Sequence, residues 1–499
     1  MTGPEIAATT ERGTGLRVES GRSPGPVGSR PDPGKAAPQR AAARAIAAMG
    51  QAAALCLVLL LASCSSFRPW TNSPVPAAVD FQRAAPTKER PLVIVVALSG
   101  GGARAAAFGL GVLRDLKSTG FTLQGERTTL LDQVNLISGV SGGSILAAHF
   151  AAFGDESLTR FESDFLLQDF EDTLIQFALS PVRLFRLSSP WYGRSHVLAE
   201  RLDQLYLGRT FGDVLDRPRG PELLVTATDL TTGAPFEFTP EQFALICSDL
   251  RAVPLAFAVA ASSSVPVLLA PMTLRNFAGN CEMPAPAPAA SADNYRTRLL
   301  RSSMQSYLSA GQRPYIHLVD GGIADNLGIR TVLDRLIAGG SLSATFGAVA
   351  PGSIRKVVLI AVNSERGLIE RIDEGDRVPT TRQVIDALLF GASTRLTETT
   401  LAMMKDDVQR WRREIAEQRG AQDSPFADDA ELHLIDVGLH DVPDRELREG
   451  VLSIPTAFTI DAAQVQRLIE AGHQVLRQSS EFQRLRQSLA IDGMTPGQR

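Results

Sequence analysis

The chain has 499 residues, 44% of them apolar, and a formal net charge of −4. That is enough for one large α/β domain with extensions, or for two domains. The slightly acidic balance argues against a nucleic-acid binder, which carries a basic face, and no repeat of fixed period is evident.

Residues 1–48 contain no Phe, Tyr or Trp and are rich in Pro, Gly, Arg and Ala. Such a stretch cannot bury enough apolar area to offset its ordering entropy, so it reads as disordered, or as the product of a start assigned too far upstream. Arg40 and Arg44 then precede the unbroken apolar run Ala52–Ala62, which ends in Leu61-Ala62-Ser63-Cys64. A positive flank, a short apolar core and small residues predict a signal peptide over 49–64. Its last four residues resemble a bacterial lipobox, with Cys64 lipidated as the mature N-terminus and residues 65–90 as a polar tether. The alternative is a plain N-terminal membrane anchor. Both put the protein outside the cytoplasm and on a membrane. Ser65 is compatible with an outer-membrane lipoprotein facing the periplasm; inner-membrane anchoring is the other option.

Of the four cysteines, Cys56 lies in the signal and Cys64 is the lipidation candidate. Cys247 and Cys281 remain as a candidate disulfide in an oxidising compartment, with two unpaired thiols as the alternative. No spacing suits a metal site, and no cofactor is expected.

From Pro91 the grammar changes. Leu92–Leu98 is a β-branched run that reads as a buried parallel strand; Gly100–Gly102 follow, then helical composition from Ala103 to Lys117. The pattern repeats with strand Val134–Ser138, turn Gly139–Gly143 and helix Ser144–Phe153. Further strands are expected at Glu222–Asp229, Tyr315–Val319 and Lys356–Asn363. This alternation predicts a mainly parallel central sheet with helices on both faces, the core spanning 91–345 and continuing through 346–490, with a polar tail at 491–499. Ligands of such sheets sit beyond the carboxyl ends of the strands, where Gly100–Gly102, Ser141 and Asp320 all fall.

Phe161–Trp191 is dense in aromatic and aliphatic residues, much of it at helical spacing. Core packing accounts for most of them; a lid or wall of an acyl pocket that also touches membrane is the functional reading. Pro284–Ala292 reads as a surface loop. Arg382–Arg419 reads as a long solvated helix, and Asp461 as the N-cap of a helix over Ala462–Gln478.

Three motifs carry chemistry. Gly139-Val-Ser-Gly-Gly143 matches G-x-S-x-G, whose glycines permit a strained strand-to-helix turn exposing the Ser141 hydroxyl at a helix N-terminus. Gly100, Gly101 and Gly102 can aim backbone N–H groups at an oxyanion, although a glycine-rich loop can also bind phosphate. Asp320-Gly321-Gly322 offers a carboxylate at a strand end, and a serine nucleophile needs a base. Alone, it would read as a surface turn.

Together, Ser99-Gly-Gly-Gly-Ala-Arg104, Gly139-Val-Ser-Gly-Gly143 and Val319-Asp-Gly-Gly322 resemble the patatin-like phospholipase family. The small-residue segment Ala260–Pro266 and Asp325-Asn326 are similar to the family as well. The resemblance implies a membrane-lipid acyl-ester hydrolase in which Ser141 attacks, Asp320 accepts the proton, and Gly100–Gly102 hold the oxyanion with Arg104 supporting the loop. Many members have Gly where this chain has Ala105.

Two rival readings stand beside it. A Ser-His-Asp esterase would recruit one of six histidines: His149, His196, His317, His433, His440 or His473. A catalytically silent envelope lipid-binding scaffold would keep the fold without turnover. The oligomeric state is not legible.

Overall fold

The structure is a computed structural model that describes residues 49–51, 65–75, 90–281, 295–338, 341–346, 349–367, 372–387 and 391–491. Positions 52–64 of the signal segment, Cys64 among them, the 284–292 loop and the tail after 491 lie outside the described residues. The chain divides into two units, Met1–Ser63 and Cys64–Arg499, and every strand among the described residues belongs to the second. Among the described residues no helix is long and apolar enough to cross a membrane.

The described residues form an eight-stranded mixed sheet and a small hairpin. The strands are β1 (Leu92–Leu98), β2 (Gly120–Leu123), β3 (Glu126–Thr129), β4 (Val134–Val140), β5 (Glu222–Asp229), β6 (Pro235–Glu237), β7 (Met272–Arg275), β8 (Tyr315–Val319), β9 (Ile354–Asn363) and β10 (Phe426–Gly438). The main sheet runs β10-β9-β1-β4-β5-β8-β7, with β6 on β5, while β2 and β3 form the hairpin. β10, β9, β1, β4 and β5 are mutually parallel, so the expected mainly parallel sheet is present.

β1 shows why this sequence makes a central strand. Ile94, Val96 and Leu98 enter one core with the helices Gly102–Ser118, Gly142–Phe153 and Ala462–Gln478. Val93, Val95 and Ala97 enter a second core on the opposite face with Leu333, Met404 and Trp411. A strand covered on both faces gains from an unbroken apolar run, not an alternating one. The second core corrects one expectation: the helix Ala392–Glu417 is not solvated all round, because Met404, Val408, Trp411 and Ile415 are buried along one stripe.

β8 departs from the expected alternation. It is antiparallel to β5, pairing only Thr228 with Val319 and Asp229 with Leu318. It therefore approaches from beyond the carboxyl edge of β5 and ends there, which brings Asp320 to the edge where β4 delivers Ser141. β9 and β10 extend the same sheet on the other side of β1. The segment expected as a tether also differs: residues 65–75 pack on the body, Asn72 bonding to Ser248 and Arg275.

Candidate active site

β4 runs to Val140 and the next helix starts at Gly142, leaving Ser141 alone at the junction with φ 49 and ψ −123. A non-glycine residue there costs on the order of 1–2 kcal/mol, so its surroundings must hold it. The Ser141 N–H donates to Ser262 Oγ at 2.8 Å, and Ser262 in turn donates to the Thr226 carbonyl at 2.6 Å. Ser144 Oγ donates to the Ser141 carbonyl at 2.6 Å. The helix starts earlier than its composition suggested because its opening residues lack side chains: a Cβ on Gly142 would lie 2.0 Å from the Gly102 carbonyl. The N-termini of the Gly142–Phe153 and Gly102–Ser118 helices thus abut, and both present their positive ends to one spot.

Asp320 is held from several sides. Its N–H donates to the Ser264 carbonyl at 2.9 Å, and Thr228 Oγ1 donates to its carbonyl at 2.7 Å. Oδ1 accepts the Gly322 N–H at 2.8 Å. Burial pushes the carboxyl up from 3.8 to about 6, and the Gly322 amide and the Ser141 hydroxyl pull it partly back. Oδ2 is buried and makes no well-formed hydrogen bond among the described residues. Ser141 and Asp320 are thus within mutual influence but not locked together, a looseness common before substrate binds.

The glycine loop divides its amides. The Gly100 N–H donates to the Asn326 carbonyl at 2.9 Å and the Ala103 N–H to the Ala457 carbonyl at 2.7 Å. Gly100 is therefore not a free oxyanion donor, contrary to the sequence expectation, because its proton is already committed. The Gly101 and Gly102 amides have no acceptor among the described residues. Gly102 sits at φ +63 with the Ala457 carbonyl 2.2 Å from where a Cβ would be, so only glycine fits.

Arg104 braces this loop from below. It is buried, donating from Nε to the Ser364 carbonyl at 3.0 Å and from Nη1 to the Ile454 carbonyl at 2.9 Å. Burial, then Arg366, lowers its pKa to about 9, which leaves it a cation at neutral pH. Ser364 Oγ donates to the Gly100 carbonyl at 2.7 Å, and the Ser364 N–H to Ser99 Oγ at 2.8 Å. Ser364 and Ala457 were missed by sequence reasoning. Ser364 follows directly on β9 at the same sheet edge, a signal that was available; Ala457 had none. Asp325, whose carboxyl burial also pushes up to about 6, caps the turn instead, accepting the Gly328 and Arg330 amides at 3.1 and 2.9 Å.

Among the described residues no hydrogen bond joins a histidine to Ser141 or Asp320. His149 bonds to Ser157, His196 to the Gly193 amide, His317 to Thr273, and His433 to Glu481 and Glu431. His473 pairs with Asp115, and the His440 ring lies against Gly367. Burial lowers the first two to about 4, so they are neutral at pH 7. Cys247 and Cys281 form a disulfide away from this site. Among the described residues no group of three or more His, Cys, Asp or Glu side chains is arranged to hold a metal ion.

Residues 96–333 match the sequence profile of the family described as patatin-like phospholipase. Among solved structures, human GIVD cytosolic phospholipase A2 is similar at a TM-score of 0.46 and 15% identity, over 81% of this chain and 63% of that chain. VipD from Legionella pneumophila is similar at a TM-score of 0.28 and 12% identity, over 80% of this chain and 67% of that one. The chain thus spans somewhat under two thirds of the human enzyme. No curated protein matches the chain by sequence.

Proposed function

With residues 96–333 assigned to the patatin-like phospholipase family, we propose that the chain hydrolyses lipid acyl esters with a Ser141–Asp320 dyad. The observation that carries this is the buried Asp320 carboxyl beside the Ser141 hydroxyl, at a junction where two helix N-termini and two unpartnered glycine amides converge.

Ser141 Oγ attacks the ester carbonyl as Asp320 Oδ2 takes its proton. The carbonyl oxygen becomes an oxyanion facing the Gly101 and Gly102 amides, where each donor in a water-poor site lowers the barrier by roughly 3 kcal/mol. Asp320 then protonates the departing alcohol, leaving an acyl-serine. Water, losing a proton to Asp320, attacks that ester, and Asp320 returns the proton to Ser141 Oγ as the fatty acid leaves. A carboxyl of pKa about 6 suits both halves, being ionised at neutral pH yet basic enough to accept the proton. Membrane attachment through Cys64 belongs to the same proposal, as does location in the cell envelope.

The test is acyl-chain release from defined phospholipids, lysophospholipids and triacylglycerols by the purified full chain. Turnover lost in both Ser141→Ala and Asp320→Asn, with folding intact, is the expected result. A chain inert on every ester would favour a silent scaffold. Loss of turnover in a single His→Ala variant would replace the dyad with a triad.

A further inference from the structure

The aromatic stretch Phe161–Trp191 splits in two. Phe161, Phe165, Leu166 and Phe170 are buried in the main core. Beyond them, the helices Phe170–Ala178 and Pro181–Leu187 and the residues after each leave Ile175 55%, Leu179 60%, Val182 60%, Phe185 45% and Trp191 44% exposed. Leu268, in the segment after Ser264, is 65% exposed. Apolar side chains so concentrated in solvent mark a surface meant to be covered.

This region, together with the following helix Arg194–Tyr206, borders the candidate site on both sides. On the oxyanion side, the Glu171 N–H donates to Thr459 Oγ1 at 2.9 Å and Glu171 Oε1 accepts the Phe458 N–H at 2.8 Å, next to the Ala457 carbonyl that holds Ala103. On the Asp320 side, Ser264, whose carbonyl takes the Asp320 N–H, also donates from Oγ to Ser195 Oγ at 2.9 Å, shortly after Trp191. Ser195 Oγ donates to the Ala270 carbonyl, and Arg194 to the Val267 carbonyl, fixing the Leu268 segment against the following helix, Arg194–Tyr206.

The identity of the cover comes from what is seated beside this face. The Ser65 N–H donates to Ser188 Oγ at 3.2 Å, and Ser189 Oγ donates to the Phe67 carbonyl at 2.6 Å. Phe67 packs edge-on to Tyr192, and the Arg68 guanidinium lies 3.9 Å above the Trp191 ring. The chain therefore reaches this face one peptide bond after Cys64. The arginines along it, Arg183 and Arg186, are paired with Glu200 at 3.0 and 3.1 Å, so apolar area rather than charge characterises the face. Exposed aliphatic and aromatic side chains, a tryptophan among them, suit a lipid interface.

We propose that the face bearing Ile175, Leu179, Val182, Phe185, Trp191 and Leu268 lies on a lipid bilayer, beside the lipidated end of the chain, so that the Ser141 site opens onto that bilayer. The proposal rests on the hydrolase and lipoprotein reading above, and it adds an orientation and a docking surface to it.

The test uses the full chain as Cys64→Ser, so that no acyl anchor contributes, with phosphatidylglycerol/phosphatidylethanolamine vesicles and with phosphatidylcholine vesicles. We expect sedimentation with both vesicle types. The double variant Val182→Asp/Phe185→Asp should weaken that binding, and hydrolysis of vesicle lipid, by about tenfold or more while leaving turnover of a soluble short-chain ester unchanged. If that variant misfolds, the face is read directly instead: in Trp70→Phe, brominated lipid should quench Trp191 fluorescence. Binding unchanged by the double variant, or Trp191 unquenched, overturns the docking surface. Ser141→Ala should bind vesicles normally without turnover. Normal binding with no ester hydrolysis by the unmutated site would sink the hydrolase and spare the surface; hydrolysis of soluble esters without vesicle binding would do the reverse.

Discussion

Gly100 and Asn326 are bonded and closely packed: the Gly100 amide donates to the Asn326 carbonyl at 2.9 Å, and Asn326 Oδ1 lies 2.5 Å from where a Gly100 Cβ would stand. The loop after β1 and the turn after β8 are therefore one assembly. Oxyanion donors and base keep their spacing even if the rim of the site moves. Gly100→Ala must displace only the tip of a side chain, so we expect a folded protein whose kcat falls by about 10–100-fold, since misplacing donors is costly. Gly142→Ala meets the Gly102 backbone at 2.0 Å and should fail to accumulate as folded protein. Kinetics and circular dichroism of the two variants check the contrast.

Ser141 holds a positive φ of 49 that a glycine adopts freely. Ser141→Gly should therefore raise the melting free energy by roughly 1 kcal/mol while abolishing turnover. Equal or lower stability in Ser141→Gly would mean the turn is not strained.

Asp320 gives a pH signature. Its folded pKa, about 6, lies above the ordinary 3.8, so kcat/KM should rise with pH through a midpoint near 6. The stability effect has the opposite sense. The favourable neutral form is fully present below about pH 4, and its contribution is lost as pH rises through 6. Asp320→Asn should thus be more stable than the parent at pH 8, by roughly 1–3 kcal/mol, with the gain fading below pH 4. Urea melts across pH 4–8 read this directly.

Arg104 donates to two carbonyls from different loops, those of Ser364 and Ile454. Lysine cannot reproduce that fork. Arg104→Lys should cost about 1–3 kcal/mol and lower kcat more than it raises KM, because the oxyanion loop loosens without altering lipid contacts.

The Cys247–Cys281 disulfide closes a 34-residue separation. Cys247→Ser/Cys281→Ser should lower stability by about 2–4 kcal/mol, seen as a reduced urea midpoint, and reductant should do the same to the parent.

Much of the fold was legible in the sequence, for local reasons. The β-branched run Leu92–Leu98, the glycines at 100–102 and the elbow at 139–143 each encode their own geometry, so the β1 and β4 turns fell where expected. The direction of β8 did not, because strand polarity is set by partners distant in sequence, and Tyr315–Val319 reads alike either way. Nor could spacing show which half of Phe161–Trp191 finds a core: Phe165 and Phe185 look equivalent until tertiary packing buries one and exposes the other. Ala457, which contributes only a backbone carbonyl to the site, leaves no side-chain signature at all.

β8 meets β5 through just two residue pairs, whereas β4, which carries Ser141, is paired along its length with both β1 and β5. Nucleophile and base therefore hang from parts of the fold with unequal resistance to fraying. Mild heat or denaturant should part them while the helical signal stands intact, so that inactivation runs ahead of unfolding and, if the rest stays folded, reverses on cooling.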